Sequence, residues 1–235
     1  MVTLTYQERF KTVKGVFDAF TNRTLFDLQT KGYFDELVSP LFVGKESNVF
    51  IALKDDEKII VKIYRLQNCD FKNMYDYIHR DGRYSNLKRD RRQIILSWTQ
   101  REYKNILKAK KAGICVPEVI AVKNNVLIEK MIGSDEPAPR LKDYIPEDID
   151  GFFKILLEEM KNLYQKANLV HGDLSAFNVL NDNETPVLID FSQATLAGSD
   201  HAKDLLKRDI KNIASFARKQ GFKIDEEKVF KEITI

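Results

Sequence analysis

A lysine stands inside an otherwise apolar run, Ile60-Val61-Lys62-Ile63-Tyr64, and that position restricts the folds open to the chain. The β-branched and aromatic neighbours favour a strand, in which residues 60, 62 and 64 share one face. Turned inward, an ammonium group there needs an anion beside it, because burying a lone charge is expensive. A solvent-facing edge strand is the other way to place it. The inward arrangement asks for a cleft along a sheet, with an anionic ligand or a carboxylate from a neighbouring element. Glu102, within Arg101-Glu102-Tyr103, is the candidate.

The pattern around this strand changes character several times. Residues 6–20 carry Val13, Val16, Phe17 and Phe20 at helical spacing, and a second short helix is expected over 23–31, stopped by Gly32. The β-rich runs Phe42 to Leu53 and Lys58 to Tyr64 flank a charged turn at 54–57; residues 118–123 and 126–131 flank Asn124-Asn125, a tight hairpin turn. Between these pairs, residues 65–92 have few aliphatic side chains and no constant period, which reads as an insertion, flexible or only partly helical. A helix is predicted from about Ile94 to Lys111, with Ile95, Trp98, Tyr103, Ile106 and Leu107 toward the core and Gly113 as its stop.

A linker rich in proline and acidic residues, Gly133 to Arg140, opens the second half. The next helix starts near Pro146, whose fixed φ suits a helix start, and buries Phe152, Phe153, Leu156, Leu157, Met160, Leu163 and Tyr164. Short strands at 178–181 and 186–189 surround a turn at Asn181-Asp182-Asn183, and a last helical region covers 200–220. The order predicts an α+β chain with a sheet-rich first lobe, a helical second lobe and a cleft between them.

Composition excludes several classes. The chain of 235 residues is 43% hydrophobic and 31% charged, as expected of a globular protein, and its net charge of +3 is too small to argue for nucleic acid by itself. Cys69 and Cys115 form no CxxC pair, which speaks against a disulfide framework or structural zinc and fits a reducing, cytoplasmic setting. The N-terminus lacks the apolar core of a signal peptide, and no apolar run nears the roughly 18 residues that a membrane span needs. A soluble, cytoplasmic monomer with no membrane partner is the expectation.

The chemistry concentrates in two segments. In HGDLSAFN, Asp173 and Asn178 lie five residues apart, after the apolar Leu169-Val170 and before Val179-Leu180. Twelve residues past Asn178, the run Val187-Leu188-Ile189 ends on Asp190. Phosphoryl transfer needs a carboxylate to position the acceptor and neutral and anionic oxygens for a metal bridging the phosphates. Asp173, Asn178 and Asp190 suit those roles; a helix cap and a plain turn would be the bland use of the first two alone. Upstream, Gly44-Lys45-Glu46-Ser47-Asn48-Val49 sits where a phosphate-covering loop belongs, although one glycine makes a weak signal.

Taken together, GKESNVF, IVKIY, HGDLSAFNVL and IDFSQA resemble the RIO family of atypical serine/threonine protein kinases. The segment from His201 to Ile210, with its Arg208-Asp209 pair, resembles that family's final helix. Only 43 residues precede Gly44, which favours the Rio-one-like branch over the branch with a winged-helix domain. The resemblance implies a bilobal protein-kinase-like fold: a helical extension of two short helices over 1–32, an N-lobe over 33–132 with the flexible insertion at about 65–92, and a truncated C-lobe over 133–235. It implies ATP with Mg2+ or Mn2+, bound by Lys45, Ser47, Val49, Lys62 and Glu102, with Glu129, Met131 and Ile132 at the adenine hinge. Asp173 would be the catalytic carboxylate, joined by Asp190, and Asn178 and Asp190 the metal ligands. Ala176-Phe177 departs from the acidic residue and tyrosine that many members have there; neither position holds a proposed ligand.

The loop reads HGD rather than HRD and only 45 residues follow Asp190, so neither an activation-loop switch nor an extended peptide groove is expected. The resemblance also implies a role in small ribosomal subunit maturation, as a kinase or as an ATPase switch. Residues 80–92 hold six basic residues against two acidic ones, and contact with the subunit precursor and its RNA is the expectation there, a solvated surface the alternative. Bud-type and small-molecule kinases also use HGD loops. The 40 residues between Lys62 and Glu102 leave room for an insertion that RIO proteins have and Bud-type kinases lack. A nucleotide-binding assembly factor with little catalysis should lack Asp173, Asn178 or Asp190, and all three are present.

Overall fold

The computed structural model describes residues 17–67 and 69–235. The helix expected over residues 6–20 lies mostly outside them. Within them, Phe17 and Asp18 are not helical, and one helix, α1 (Ala19–Thr30), replaces the expected start at 23 because the Asp18 carboxylate caps it, accepting from the backbone of Phe20 and Thr21 at 3.0 Å.

Five antiparallel strands follow in the order β1-β2-β3-β5-β4: β1 (Glu36–Val43), β2 (Ser47–Lys54), β3 (Glu57–Tyr64), β4 (Val119–Lys123) and β5 (Val126–Lys130). The β2–β3 turn puts Asp55 and Asp56 at φ 50° and 66°, the left-handed pair of a two-residue hairpin whose twist matches its strands. Pro40 sits in β1 beside a register shift, tolerated because this is an edge strand. Leu25, Leu28 and Phe34 pack on the sheet's inner residues Ala52, Val61 and Ile128.

The insertion is partly helical, and its described apolar residues are packed. It holds α2 (Phe71–His79), capped by Asp70, and a 3-10 turn at Gly82–Tyr84. Met74 and Ile78, four apart on α2, bury against Ile94, Ile95 and Trp98, worth roughly 1.5–3 kcal/mol for each side chain fully removed from water. Phe71, Tyr75 and Tyr77 pack against the same cluster, so this helix's apolar face is mostly aromatic rather than aliphatic.

Helix α3 (Arg91–Lys111) starts three residues before the predicted point, with Asp90 as its cap, and ends at Gly113 (φ 82°) with the Ile114 amide returned to Ala109. Its inward face is more polar than expected. Leu107 is exposed and Tyr103 only partly buried, whereas Thr99, Arg101, Glu102 and Asn105 are buried.

The second lobe contains α4 (Ile149–Gln165), β6 (Leu169–Val170), β7 (Val179–Asp182), β8 (Thr185–Leu188), β9 (Thr195–Leu196), α5 (Ala202–Lys219) and α6 (Glu226–Thr234). Leu157 and Tyr164 are only partly buried on α4, and Pro146 precedes its cap, Asp148, by two residues. The β7–β8 turn falls at Asn183-Glu184 (φ 49° and 67°), two residues later than predicted at its start, since Asn181 and Asp182 still pair. Helix α6 escaped the sequence reading. Its apolar residues pack with α4 and α5 around a core that includes Phe152, Phe153, Leu163, Ile213 and Ile233. The result is a bilobal, protein-kinase-like α+β fold. Among the described residues no helix is long and apolar enough to cross a membrane, and Cys69 and Cys115 are both free thiols.

Candidate active site

Lys62 faces inward. Period-2 alternation puts it on the same face as Ile60, opposite Val49 of β2 and Leu127 of β5. Its Nζ lies 2.8 Å from Glu102 Oε1 on α3 and 3.1 Å from Asp190 Oδ1. Burial works against its charge, but Asp190 and Glu102 outweigh it and hold the ammonium above the ordinary lysine range. Burial, with Asp190 adding to it, raises Glu102 despite Lys62, and the Tyr64 hydroxyl also donates to it. Burial works upward on Asp190 too; Lys62 and the Ser192 hydroxyl, donating at 2.7 Å, bring it below the usual carboxylate range. Asp190 itself adopts φ 64°, a strained conformation for a residue with a Cβ and one typical of functional turns.

The HGD loop is held from two sides. His171 is buried and lowered to about 4 by that burial, so it is neutral: Nε2 donates to the Ile189 carbonyl at 3.0 Å and Nδ1 accepts from the Asp173 amide at 3.4 Å. Gly172 has φ 78°, and a Cβ there would stand 2.9 Å from the Gln193 carbonyl, so only glycine fits. From α5, the Asp209 carboxylate accepts from the amides of Gly172 and Leu174 at 2.8 and 2.9 Å, and Asn212 donates to the Leu174 carbonyl at 3.1 Å. Arg208 donates to the Gly172 carbonyl and, at 2.9 Å, to Tyr77 of the insertion.

Asp173 is half-buried and raised, first by that burial and then by the charge of Asp190, with Arg208 opposing. The Asn178 amide donates to the Asp173 carbonyl at 2.8 Å, and Gln193 Nε2 to its carboxylate at 3.3 Å. Beside these groups lies a cavity of about 460 Å3, a size usual for small-molecule sites. Of the residues expected from sequence, Ser47, Val49, Lys62, Glu102, Glu129, Met131, Ile132, Asn178 and Asp190 line it. Lys45 is exposed outside it, and Asp173 joins through Asn178. The sequence reading missed the apolar walls Leu41, Ile60, Leu180 and Ile189. Glu129 lines the cavity, and its carboxyl is pushed up to about 8 by burial and by Glu102.

A RIO domain family model matches residues 48–229. The chain belongs to the RIO family. It is an atypical serine/threonine kinase of the RIO type, on the Rio1-like side. The RIO-type serine/threonine-protein kinase Rio1 of Methanocaldococcus jannaschii is 40% identical over 230 residues, covering 97% of this chain and 79% of the relative. That of Haloferax volcanii is 37% identical over 229 residues, with the same coverage of 97% and 79%. A crystal structure described as a Rio2 kinase-ADP/Mg2+-phosphoaspartate complex from Chaetomium thermophilum superposes with a TM-score of 0.68 at 20% identity. That match covers 89% of this RIO chain and 65% of the other and speaks for the fold alone. The family match supports the RIO reading.

Among the described residues no cluster of three or more His, Cys, Asp or Glu forms a metal cage. The donor set nonetheless fits a divalent ion carried in on phosphates, which leaves much of the coordination to water and substrate. Asp190 supplies an ionised oxygen, and Asn178, with its NH2 donating to Asp173, turns no donor to its own Oδ1 among the described residues.

Proposed function

We propose that this kinase binds ATP with Mg2+ or Mn2+ in the cleft and transfers the γ-phosphoryl group. The observation that carries this is Lys62, held charged between Glu102 and Asp190 at 2.8 and 3.1 Å on the wall of the cavity. A cation so fixed is preorganised for phosphate oxygens and needs no reorganisation at the moment of reaction. Ser47 and the backbone of Glu129 to Met131 would hold the phosphates and the adenine. Asn178 and Asp190 would hold the metal, which supplies charge neutralisation between the phosphates. Asp173 orients a serine or threonine hydroxyl and takes its proton as the oxygen bonds to phosphorus and the bond to ADP breaks. Its raised carboxyl makes it a better base near neutral pH than an ordinary aspartate. ATP turnover and phosphoserine formation, followed by mass spectrometry, are expected in the wild type and absent in Asp173→Ala. Undiminished turnover in that variant would overturn the assignment.

An ATPase cycle is a second reading, favoured by the phosphoaspartate in the Rio2 structure's description. Here an Asp190 oxygen attacks the γ-phosphorus, ADP leaves, and water then cleaves the acyl phosphate to inorganic phosphate. An acid-stable, hydroxylamine-labile phosphate on wild-type protein that Asp190→Asn lacks supports this cycle; no such adduct on quenched wild type refutes it.

We further propose that this switch works in the cytoplasm, as a monomer, on a small ribosomal subunit precursor, with residues 80–92 toward its RNA. The structure moderates that patch. Arg83 pairs with Asp81, Arg89 lies 3.8 Å from Asp76, and Arg91 and Arg92 stack on Phe71 and Phe20. All six basic residues are exposed; Arg80 and Lys88, which take part in none of these contacts, are the cations to reverse. Their reversal should weaken co-sedimentation with precursor subunits and flatten its salt dependence; unchanged binding would sink the proposal.

A further inference from the structure

The insertion reaches the metal-side turn through a chain of polar contacts that bulk packing does not require. Asp81 and Arg101 are both fully buried. Arg101 lies one residue before Glu102 on α3, and its Nε is 3.4 Å from Asp81 Oδ2. Arg83 clamps the same carboxylate through Nε and Nη2 at 2.9 and 2.6 Å, and extends Nη1 to Asn105 Oδ1 at 3.0 Å. Asn105, four residues beyond Arg101 and so on the same face of α3, donates to the carbonyls of Phe191 and Ala194 at 3.0 and 2.8 Å. Arg101 Nη2 reaches the Gln193 carbonyl at 3.5 Å. The turn thus gripped begins at Asp190, and its Gln193 side chain touches Asp173.

A buried ion pair is weak support for stability, because desolvation offsets its attraction. This one is also imperfectly satisfied: Arg101 Nε and Nη1 have no hydrogen-bond partner among the described residues. Apolar side chains of similar volume would fill the space at lower cost. What the polar groups do, and apolar ones could not, is bind three carbonyls of this one turn, those of Phe191, Gln193 and Ala194, directionally and so fix the backbone that aims Asp190.

We infer that Asp81 is a positioning residue for phosphoryl transfer: acting through Arg83, Arg101 and Asn105, it makes the insertion a strut that sets the 191–194 turn. This rests on the reading of Asp190 as a metal ligand. Asp81→Asn keeps the size and removes the charge. It should raise the Mg2+ concentration for half-maximal ATP turnover at least fivefold, while ADP affinity in EDTA stays unchanged. Deuterium exchange at the Ala194 amide, which bonds to Phe191 at 3.1 Å, should quicken at least tenfold, with the α4 and α5 amides unmoved. An unchanged Mg2+ requirement in the folded variant overturns the inference, whether or not exchange quickens, since quickening alone marks a merely structural contact. Should Asp81→Asn not fold, Arg83→Lys tests the same chain, because a lysine cannot reach Asp81 and Asn105 together. The same two shifts, smaller, are expected, and their absence overturns the claim equally. Asp190→Asn is the control, read by binding because its turnover is expected to be lost: if Mg2+ strengthens ADP binding as much in it as in the wild type, the metal reading has failed and takes the strut's role with it.

Discussion

Replacing Asp209 by alanine probes how the active loop is held. The carboxylate receives two backbone N–H groups, from Gly172 and Leu174, at a position 1% exposed. Alanine orphans both donors, and each buried, unsatisfied N–H costs about 1–3 kcal/mol. The native carboxyl is itself costly to bury: burial raises it to about 7, although the two N–H groups and Arg208 pull it down. The net loss is therefore expected at about 2–4 kcal/mol, a large share of the roughly 5–15 kcal/mol that stabilises a domain. Because the folded carboxyl binds its proton more tightly than an unfolded aspartate, its stabilising contribution is complete at about pH 4 and is lost as pH rises through 7. Urea unfolding of both proteins at pH 5 and pH 8 should show the larger gap at pH 5. Slack in the loop should also lower turnover about 100-fold, the scale expected of a misplacement near 1 Å. A gap below about 1 kcal/mol at both pH values, or one that widens with pH, would refute this account of the anchor.

Lys62→Met leaves Glu102 buried without its cation and should cost about 3–5 kcal/mol in unfolding; adding Glu102→Gln should restore most stability but no turnover. Burial lowers His171 to about 4, so the folded protein holds fewer protons than the unfolded chain between pH 4 and its ordinary value. The wild type should therefore lose up to about 3 kcal/mol on acidification through that window, a loss missing from the thermal unfolding of His171→Asn; parallel pH curves would contradict it. Asp56→Gly relieves a left-handed residue in an exposed turn at φ 66° and should raise stability by about 0.5–1 kcal/mol with turnover unchanged.

Legibility in the sequence followed how local each signal was. Lys62, Asp173, Asn178 and Asp190 stood out because each is a polar group at the edge or centre of an apolar run, and local pattern also revealed the two hairpins around 54–57 and 124–125. Asp209 carries the same kind of signal, a charge among Leu205, Leu206, Ile210 and Ile213 on one helical face, yet its partners lie 35 and 37 residues away. Leu107 misled because hydropathy ranks it above Asn105, while the face of α3 that meets the metal-side turn wants a donor and an acceptor. Helix α2 was hidden because its apolar face is carried mostly by the aromatics Phe71, Tyr75 and Tyr77, in a stretch with few aliphatic residues.

The chain alone determined the chemistry available: one lysine inside an apolar run and three acidic or amide groups at spacings suited to phosphoryl transfer. What tertiary structure decided is where those groups point. The pairing of Lys62 with Glu102 and Asp190, the gripping of the HGD loop by α5, and the docking of the insertion on the 191–194 turn all join residues far apart in sequence. Their partners are selected by the desolvation cost of leaving a charge or an amide unmatched, a quantity that exists only once the core has closed around them.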